Sequence, residues 1–193
     1  MKSTILVAIA FLLATGLFAS AGTLSGNVKA GAGPTVVYLE TLVKQSFPPP
    51  TTAYKVDQKG MKFIPDMLVI PQGATVEFLN NDNDAHNVSW LAVGGDRRLA
   101  RNLGTFPRGQ TASWKFDHPG AIHIVCNRHS DMLATIIVTP TPYFAQPDQI
   151  LGDYFIQNVP DGQYKLTVWH NGKTTTKDVT VAGNTKADLA LTQ

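Results

Sequence analysis

The segment Cys126-Asn127-Arg128-His129-Ser130-Asp131-Met132 places a thiol, an imidazole and a thioether within seven residues. Just before it, Ile122, Ile124 and Cys126 occupy alternate positions, which is the pattern of a strand with one apolar face. A second apolar run, 133–138, follows Met132. The three side chains are therefore predicted to lie on or beside a turn between two strands.

A second imidazole precedes this segment. His86 lies 40 residues before Cys126, in the run Asp84-Ala85-His86-Asn87-Val88. Two imidazoles, one thiolate and a weakly bound thioether are the ligand set of a blue-copper site. A buried Cys or Met taken alone is usually an ordinary core residue, so the prediction depends on the C-x2-H-x2-M spacing together with the upstream His. We predict one copper ion held by His86, Cys126, His129 and Met132.

The rest of the sequence indicates an all-β protein. Short alternating apolar runs are separated by turn signals such as Pro71-Gln72-Gly73 and Pro160-Asp161-Gly162. No long segment has a helical period, and 97–103 is the one candidate for a short helix. The clearest predicted strands are 36–39, 75–78, 112–116, 122–126 and 164–168. This spacing predicts one or two antiparallel sandwiches.

Composition excludes several functions. The 193 residues are enough for one domain or two small ones, and 44% of them are hydrophobic. A net charge of +2 argues against nucleic-acid binding, which depends on clustered Lys and Arg. The single Cys excludes an intramolecular disulfide, a zinc site of paired thiolates and a binuclear copper centre with two Cys ligands.

Residues 1–21 resemble a secretory signal peptide. Lys2 precedes an apolar run from Ile5 to Phe18, and Ala19-Ser20-Ala21 has the small-x-small form of a cleavage site. The run is shorter than the roughly 20 apolar residues of a membrane-spanning helix, although an uncleaved anchor is an alternative. We predict a soluble exported protein, located in the periplasm, that starts near Gly22 and has no later membrane span.

The motifs resemble the cupredoxin family of type 1 blue-copper proteins, of the amicyanin and plastocyanin kind. The segments that carry the resemblance are 73–78, Asn80 and Asp82, His86-Asn87, 116–120 and the segment from Cys126 to Met132. The resemblance implies a Greek-key β-sandwich with one type 1 copper at one end. By that resemblance His86, Cys126 and His129 are the equatorial ligands and Met132 is the long axial ligand. Asn87 matches the family residue that hydrogen-bonds the thiolate and ties the two ligand loops together.

Two proline-bearing segments, Pro48-Pro49-Pro50 and Pro140-Thr141-Pro142, suggest domain boundaries. The predicted copper domain is 48–142. The flanking pieces 22–47 and 143–193 resemble a discontinuous carboxypeptidase-regulatory-like β-sandwich, as in periplasmic methylamine-utilisation and plastocyanin-like proteins. In that resemblance 152–156 and 159–166 form the middle hairpin of the sandwich. The alternative is that 22–40 adds an edge strand to the cupredoxin itself.

The leading functional prediction is a single-electron carrier between a redox donor and a redox acceptor, and not an enzyme. A periplasmic copper carrier or buffer is the alternative, and a multicopper oxidase or nitrite reductase would need more His than the five present.

All five Arg lie between 97 and 128, where Asp117 is the one acidic residue, which predicts docking of an acidic partner. A solvated basic surface without a partner is the alternative. The candidate docking residues are Arg97, Arg98, Arg101, Arg108 and Arg128.

Overall fold

The computed structural model describes residues 21–191. The predicted signal peptide lies outside the described residues, except for Ala21. Within them the chain is almost entirely β, as predicted, and no helix is long and apolar enough to cross a bilayer. The strands are β1 (Ala21–Lys29), β2 (Thr35–Thr41), β3 (Tyr54–Gln58), β4 (Phe63–Ile64), β5 (Met67–Pro71), β6 (Ala74–Asn80), β7 (His86–Trp90), β8 (Arg101–Phe106), β9 (Thr111–Phe116), β10 (Gly120–Cys126), β11 (His129–Thr139), β12 (Phe144–Ala145), β13 (Asp153–Pro160), β14 (Gly162–His170), β15 (Lys173–Val181), β16 (Thr185–Lys186) and β17 (Leu189–Ala190).

Strands β3 to β11 form one sandwich, called here the central sandwich. A five-stranded sheet has the order β5-β11-β10-β7-β8, and a four-stranded sheet has the order β4-β3-β6-β9. The two sheets enclose an apolar core to which both contribute. Its largest fully buried side chains include Phe63, Phe78, Trp90, Ile122, Ile124, Met132 and Ile136.

Alternation along the strands explains which side chains enter this core. In β10, Ile122, Ile124 and Cys126 are buried, whereas His123 on the opposite face is exposed. Strand β6 begins after Gly73, whose φ of 84° is a left-handed conformation that favours glycine. Cys126 therefore points into the sandwich at the last position of β10.

The remaining strands form a second sandwich, called here the outer sandwich. One sheet has β1 between β13 and β16, with β17 also paired to β1, and the other has the order β12-β2-β14-β15. Its separate core is formed by Leu24, Val28, Val37, Leu39, Tyr154, Ile156, Val159, Tyr164, Leu166, Val168, Val181, Ala187 and Leu189. In the described residues β1 and β2 pair only with strands of this outer sandwich, so the alternative edge strand on the cupredoxin is not formed.

One local prediction is wrong, and a second is right only for its first three residues. The segments 152–156 and 159–166 do not form a hairpin, because β13 pairs with β1 while β14 pairs with β2 and β15. The chain crosses from one sheet to the other at Asp161. The candidate helix 97–103 is a single 3-10 turn, Arg97–Leu99, after which the chain extends into β8.

A small apolar cluster joins the two sandwiches. Val36 and Trp169 of the outer sandwich pack with Val69 and Ile137 on the outer face of the five-stranded sheet. Nearby, the buried Thr141 hydroxyl donates to the main-chain oxygen of Leu39 at 2.6 Å. The outer sandwich is thus packed against the central one and is not connected to it by the chain alone.

Candidate metal centre

Cys126 and His129 stand on either side of a tight turn. Cys126 is the last residue of β10 and His129 is the first residue of β11, and the two are cross-strand partners. Cys126 is buried and His129 is half-buried, with 3.6 Å between Sγ and the His129 Nδ1 atom. The exposed residues Asn127 and Arg128 form the turn between them.

His86 completes the cluster from the neighbouring strand. It is the first residue of β7 and is fully buried, and its Nδ1 lies 3.0 Å from the Nδ1 of His129. One ligand atom each from His86, Cys126 and His129 can be chosen so that all lie within 4.8 Å of one another. Two ring nitrogens and one sulfur that converge in this way are a donor set suited to copper. The residues present therefore fit the predicted ion.

The sulfur of Cys126 receives a main-chain hydrogen bond from the next strand. The N–H of Asn87 donates to Sγ at 3.3 Å. The Asn87 side chain donates to Oδ1 of Asn102 at 2.8 Å and accepts from the N–H of Asn127 at 3.5 Å. Asn87 thus contacts the thiol and also links the β7 end to the ligand turn.

A carboxylate holds the other side of the His86 ring. Oδ2 of Asp82 lies 3.0 Å from Nε2 of His86 and accepts the N–H of Met61 at 2.8 Å. Oδ1 of Asp82 accepts the N–H of Asn83 at 2.8 Å. The hydrogen bonds from Met61, His86 and Asn83 lower the pKa of Asp82 to about 2. Asp82 was included in the family resemblance but was assigned no role there. Its position four residues before His86 was the one sequence feature that could have indicated this contact.

Met132 is buried in the core of the central sandwich, three residues after His129. Its neighbour Leu133 is the cross-strand partner of Val125, the residue before Cys126. Met132 therefore lies on the strand that faces Cys126, close to the ligand turn. His118 and His123 are exposed and do not belong to the His86–Cys126–His129 cluster.

The five arginines do not form a single patch. Arg128 lies in the ligand turn, and Arg108 donates to Oδ1 of Asn83 in the loop before His86. Arg101, however, pairs with Trp90, at the opposite end of β7 from His86. The four residue steps from His86 to Trp90 span about 13 Å of extended strand. The Arg101 guanidinium lies 5.2 Å from the Trp114 ring centroid.

Arg97 and Arg98 belong to that distant end as well. They form the 3-10 turn after Asp96, and Arg98 is paired with the Asp96 carboxylate at 2.7 Å. The N–H of Gly94 in the same loop donates to the oxygen of Ala121, near the start of β10. The register of β7 with β8 therefore separates Arg108 and Arg128, at the copper end, from the other three arginines. The number and spacing of the arginines in the sequence do not show this separation.

Comparison with known proteins agrees with this geometry. Residues 50–139 match the family of copper-binding proteins that comprises plastocyanin and azurin. This part of the chain is a cupredoxin. One type 1 copper fits its site, at the cluster formed by His86, Cys126 and His129.

Solved structures similar to the chain include other cupredoxins. A reduced mutant of amicyanin is 26% identical, with 47% of this chain and 85% of that chain covered and a TM-score of 0.43. A purple cupredoxin from Nitrosopumilus maritimus is 21% identical, with 45% of this chain and 99% of that chain covered and a TM-score of 0.40. No curated protein matches the chain.

Proposed function

We propose that the protein is an exported single-electron carrier that passes electrons between two redox partners. The observation that supports this most directly is the converged cluster of His86, Cys126 and His129, two of which are buried. Copper, when bound, supplies one-electron chemistry by cycling between Cu(II) and Cu(I). A carrier needs a site that changes little between the two states, and this site is built on strand ends.

The surrounding residues hold the ligands in place. The Asn87 N–H donates to the sulfur, and its side chain joins the two ligand loops. We propose that these bonds fix Cys126 and lower the electron density on its sulfur. Met132 is proposed as the weak fourth ligand, because it is a buried thioether on the ligand strand and thioethers are weak, soft donors.

We propose that electrons enter and leave through the His129 side of the site. His86 is fully buried, whereas His129 is half-buried and is followed by the exposed Ser130 and Asp131. Of the five arginines, Arg108 and Arg128 lie at this end and are the proposed contacts for an acidic partner. Arg97, Arg98 and Arg101 are left out of the proposed docking surface because they lie at the other end of β7 and β8.

The remaining assignments belong to the same proposal. Residues 1–21 are proposed as a cleaved signal peptide, with the mature protein in the periplasm. Residues 48–142 are proposed as the copper domain, and 22–47 with 143–193 as the discontinuous outer domain. The separate cores of the two sandwiches support this division. The protein is proposed to have no enzymatic activity.

A copper carrier or buffer is the competing function. Delivery of copper requires that a recipient reach the ligands and displace them. The burial of Cys126 and His86 opposes such displacement, whereas electron transfer needs no direct access to the metal. The rate at which copper leaves the protein therefore distinguishes the two functions.

The test starts from protein loaded with one equivalent of Cu(II). We expect an intense visible band that disappears with ascorbate, returns with ferricyanide and survives many such cycles. We also expect slow loss of copper to an excess of chelator, over hours or longer. A colourless copper complex would contradict the type 1 site. A blue protein that surrenders its copper within minutes would favour the carrier or buffer.

A further inference from the structure

The carboxylate of Asp82 joins three segments around His86. It contacts the His86 ring at 3.0 Å, the N–H of Met61 at 2.8 Å and the N–H of Asn83 at 2.8 Å. Met61 lies in the loop between β3 and β4, 21 residues before Asp82 in the sequence. Asp82 is largely shielded, with 15% of its side chain exposed, and the His86 side chain has no exposed surface.

This arrangement determines which ring nitrogen of His86 carries the hydrogen. An ionised carboxylate only accepts hydrogen bonds, so the Nε2 atom of His86 must be the donor. In the neutral ring the other nitrogen, Nδ1, then has a free lone pair. That Nδ1 atom is the one that faces His129, at 3.0 Å.

We propose that Asp82 is the positioning residue of the copper centre: it fixes the His86 ring in the orientation and the tautomer that copper binding requires, before the metal arrives. This inference rests on the proposed copper site but concerns a residue outside the ligand set. A hydrogen-bonded carboxylate also makes a ligating imidazole a stronger donor. Asp82 is therefore expected to favour Cu(II), the state that binds imidazole more firmly.

The variant Asp82→Asn tests the role of the carboxylate with little change in shape. An amide has one oxygen and one NH2 group in place of two oxygens. Since Asp82 accepts hydrogen bonds at both oxygens, the NH2 group of Asn must face at least one N–H donor. The matched control is Asp84→Asn, which removes an equal charge from an exposed side chain of the same loop.

We expect Asp82→Asn to lower the affinity for Cu(II) about 10- to 100-fold. If the affinity for Cu(I) is unchanged, each tenfold loss raises the reduction potential by about 59 mV. The Asp84→Asn control should keep both values close to those of the wild type. The proposal would be overturned if the reduction potential and the Cu(II) affinity changed by the same amount in Asp82→Asn and Asp84→Asn. It would also be overturned if they changed in neither variant.

Nitrogen NMR of the metal-free wild type provides a measurement that does not depend on copper or on a variant. The spectrum should show the hydrogen of His86 on Nε2, and Asp82→Asn should alter that signal more than Asp84→Asn does. A hydrogen on Nδ1 in the metal-free wild type would refute the inference even if Asp82→Asn failed to fold. Failure of the wild type to bind copper would instead contradict the proposed function, whatever the NMR shows.

Discussion

The main-chain N–H of Asn87 donates to the sulfur of Cys126 at 3.3 Å, across 39 residues of sequence. This bond links the strand that carries His86 to the strand that carries Cys126. The Asn87 side chain adds a second link, to the turn between Cys126 and His129. The three proposed ligands are therefore connected to one another by hydrogen bonds of the protein itself.

Replacement of Cys126 by Ser should abolish the intense visible band. Only a thiolate bound to Cu(II) produces that charge-transfer band, and Ser is close to Cys in size. The absorption spectrum of the copper-loaded variant is the measurement, and far-ultraviolet circular dichroism checks that the fold is retained. A Cys126→Ser variant that stays blue would refute the ligand assignment.

Replacement of Met132 by Leu should keep a blue site and raise its reduction potential. A weak donor to Cu(II) is lost, and the axial ligand is one of the groups that set the potential of such sites. The change conserves volume in the core, so it should cost less than about 1.5 kcal/mol of stability. Voltammetry of the wild type and the variant measures the two reduction potentials. An unchanged potential would argue that Met132 is only a core residue.

Replacement of Asn87 by Ala should destabilise the metal-free protein by about 0.5–1.5 kcal/mol for each lost hydrogen bond, since the Asn87 side chain is buried and makes two such bonds. The lost contacts are those to Asn102 and Asn127, whereas the main-chain bond to Cys126 can remain. Denaturant unfolding measures the change. Asn81→Ala is the control, because the Asn81 side chain is exposed and donates only to the Asp57 carboxylate, and this variant should have a much smaller effect. Equal losses in the two variants would contradict the linking role.

Charge reversal at the copper end should slow reaction with an anionic redox reagent. We expect Arg108→Glu with Arg128→Glu to reduce the rate at which ferricyanide oxidises the Cu(I) protein by about tenfold at low ionic strength. The effect should shrink as salt is added.

The control for this experiment is the pair Arg97→Glu with Arg98→Glu. It changes the net charge by the same amount at the distant end of β7, where the 3-10 turn lies. The control should reduce the rate much less. Equal effects of the two pairs would mean that total charge governs the rate and that the copper end has no special role.

Removal of the Trp169 side chain should weaken the contact between the two sandwiches. Trp169 is 6% exposed and packs with Val36, Val69 and Ile137. Truncation to Ala is expected to cost about 3–5 kcal/mol in the free energy of unfolding. Phe155→Ala is the control, because Phe155 is 63% exposed and should change stability by about 0.5 kcal/mol or less. The visible spectrum should stay unchanged in both variants, and a spectral change in Trp169→Ala would show that the contact also influences the site.

Local sequence patterns were sufficient to predict an all-β chain, several of its strands and the grouping of His86, Cys126 and His129. Ile122, Ile124 and Cys126 share a face because strand side chains alternate, and this parity also explains why His123 is exposed. The spacing of Cys126 and His129 matches a turn with the two residues paired across it. His86 could be added because it belongs to the same recognised motif.

Contacts between distant segments could not be predicted in this way. The distance between Arg101 and the copper end depends on the register of β7 with β8, in which an irregularity places two residues of β8 opposite the single residue Val88 of β7. The bond from Met61 to Asp82 depends on how the β3–β4 loop meets the ligand loop. The assignment of β13 and β14 to different sheets depends on partners more than 100 residues away, so adjacent strands in the sequence were mistaken for a hairpin.

The positions of the strands along the chain also mean that the two sandwiches are completed at different points of synthesis. Among residues 21–191, β1 pairs only with β13, β16 and β17, and β2 pairs only with β12 and β14. Every strand of the central sandwich lies between Tyr54 and Thr139, so that sandwich is complete while β1 and β2 still have no partners. Through that interval their unpaired edges are open to other chains, a hazard common to proteins with long-range pairing. A nascent chain of this protein must therefore protect its first two strands until β13 and β14 have been made.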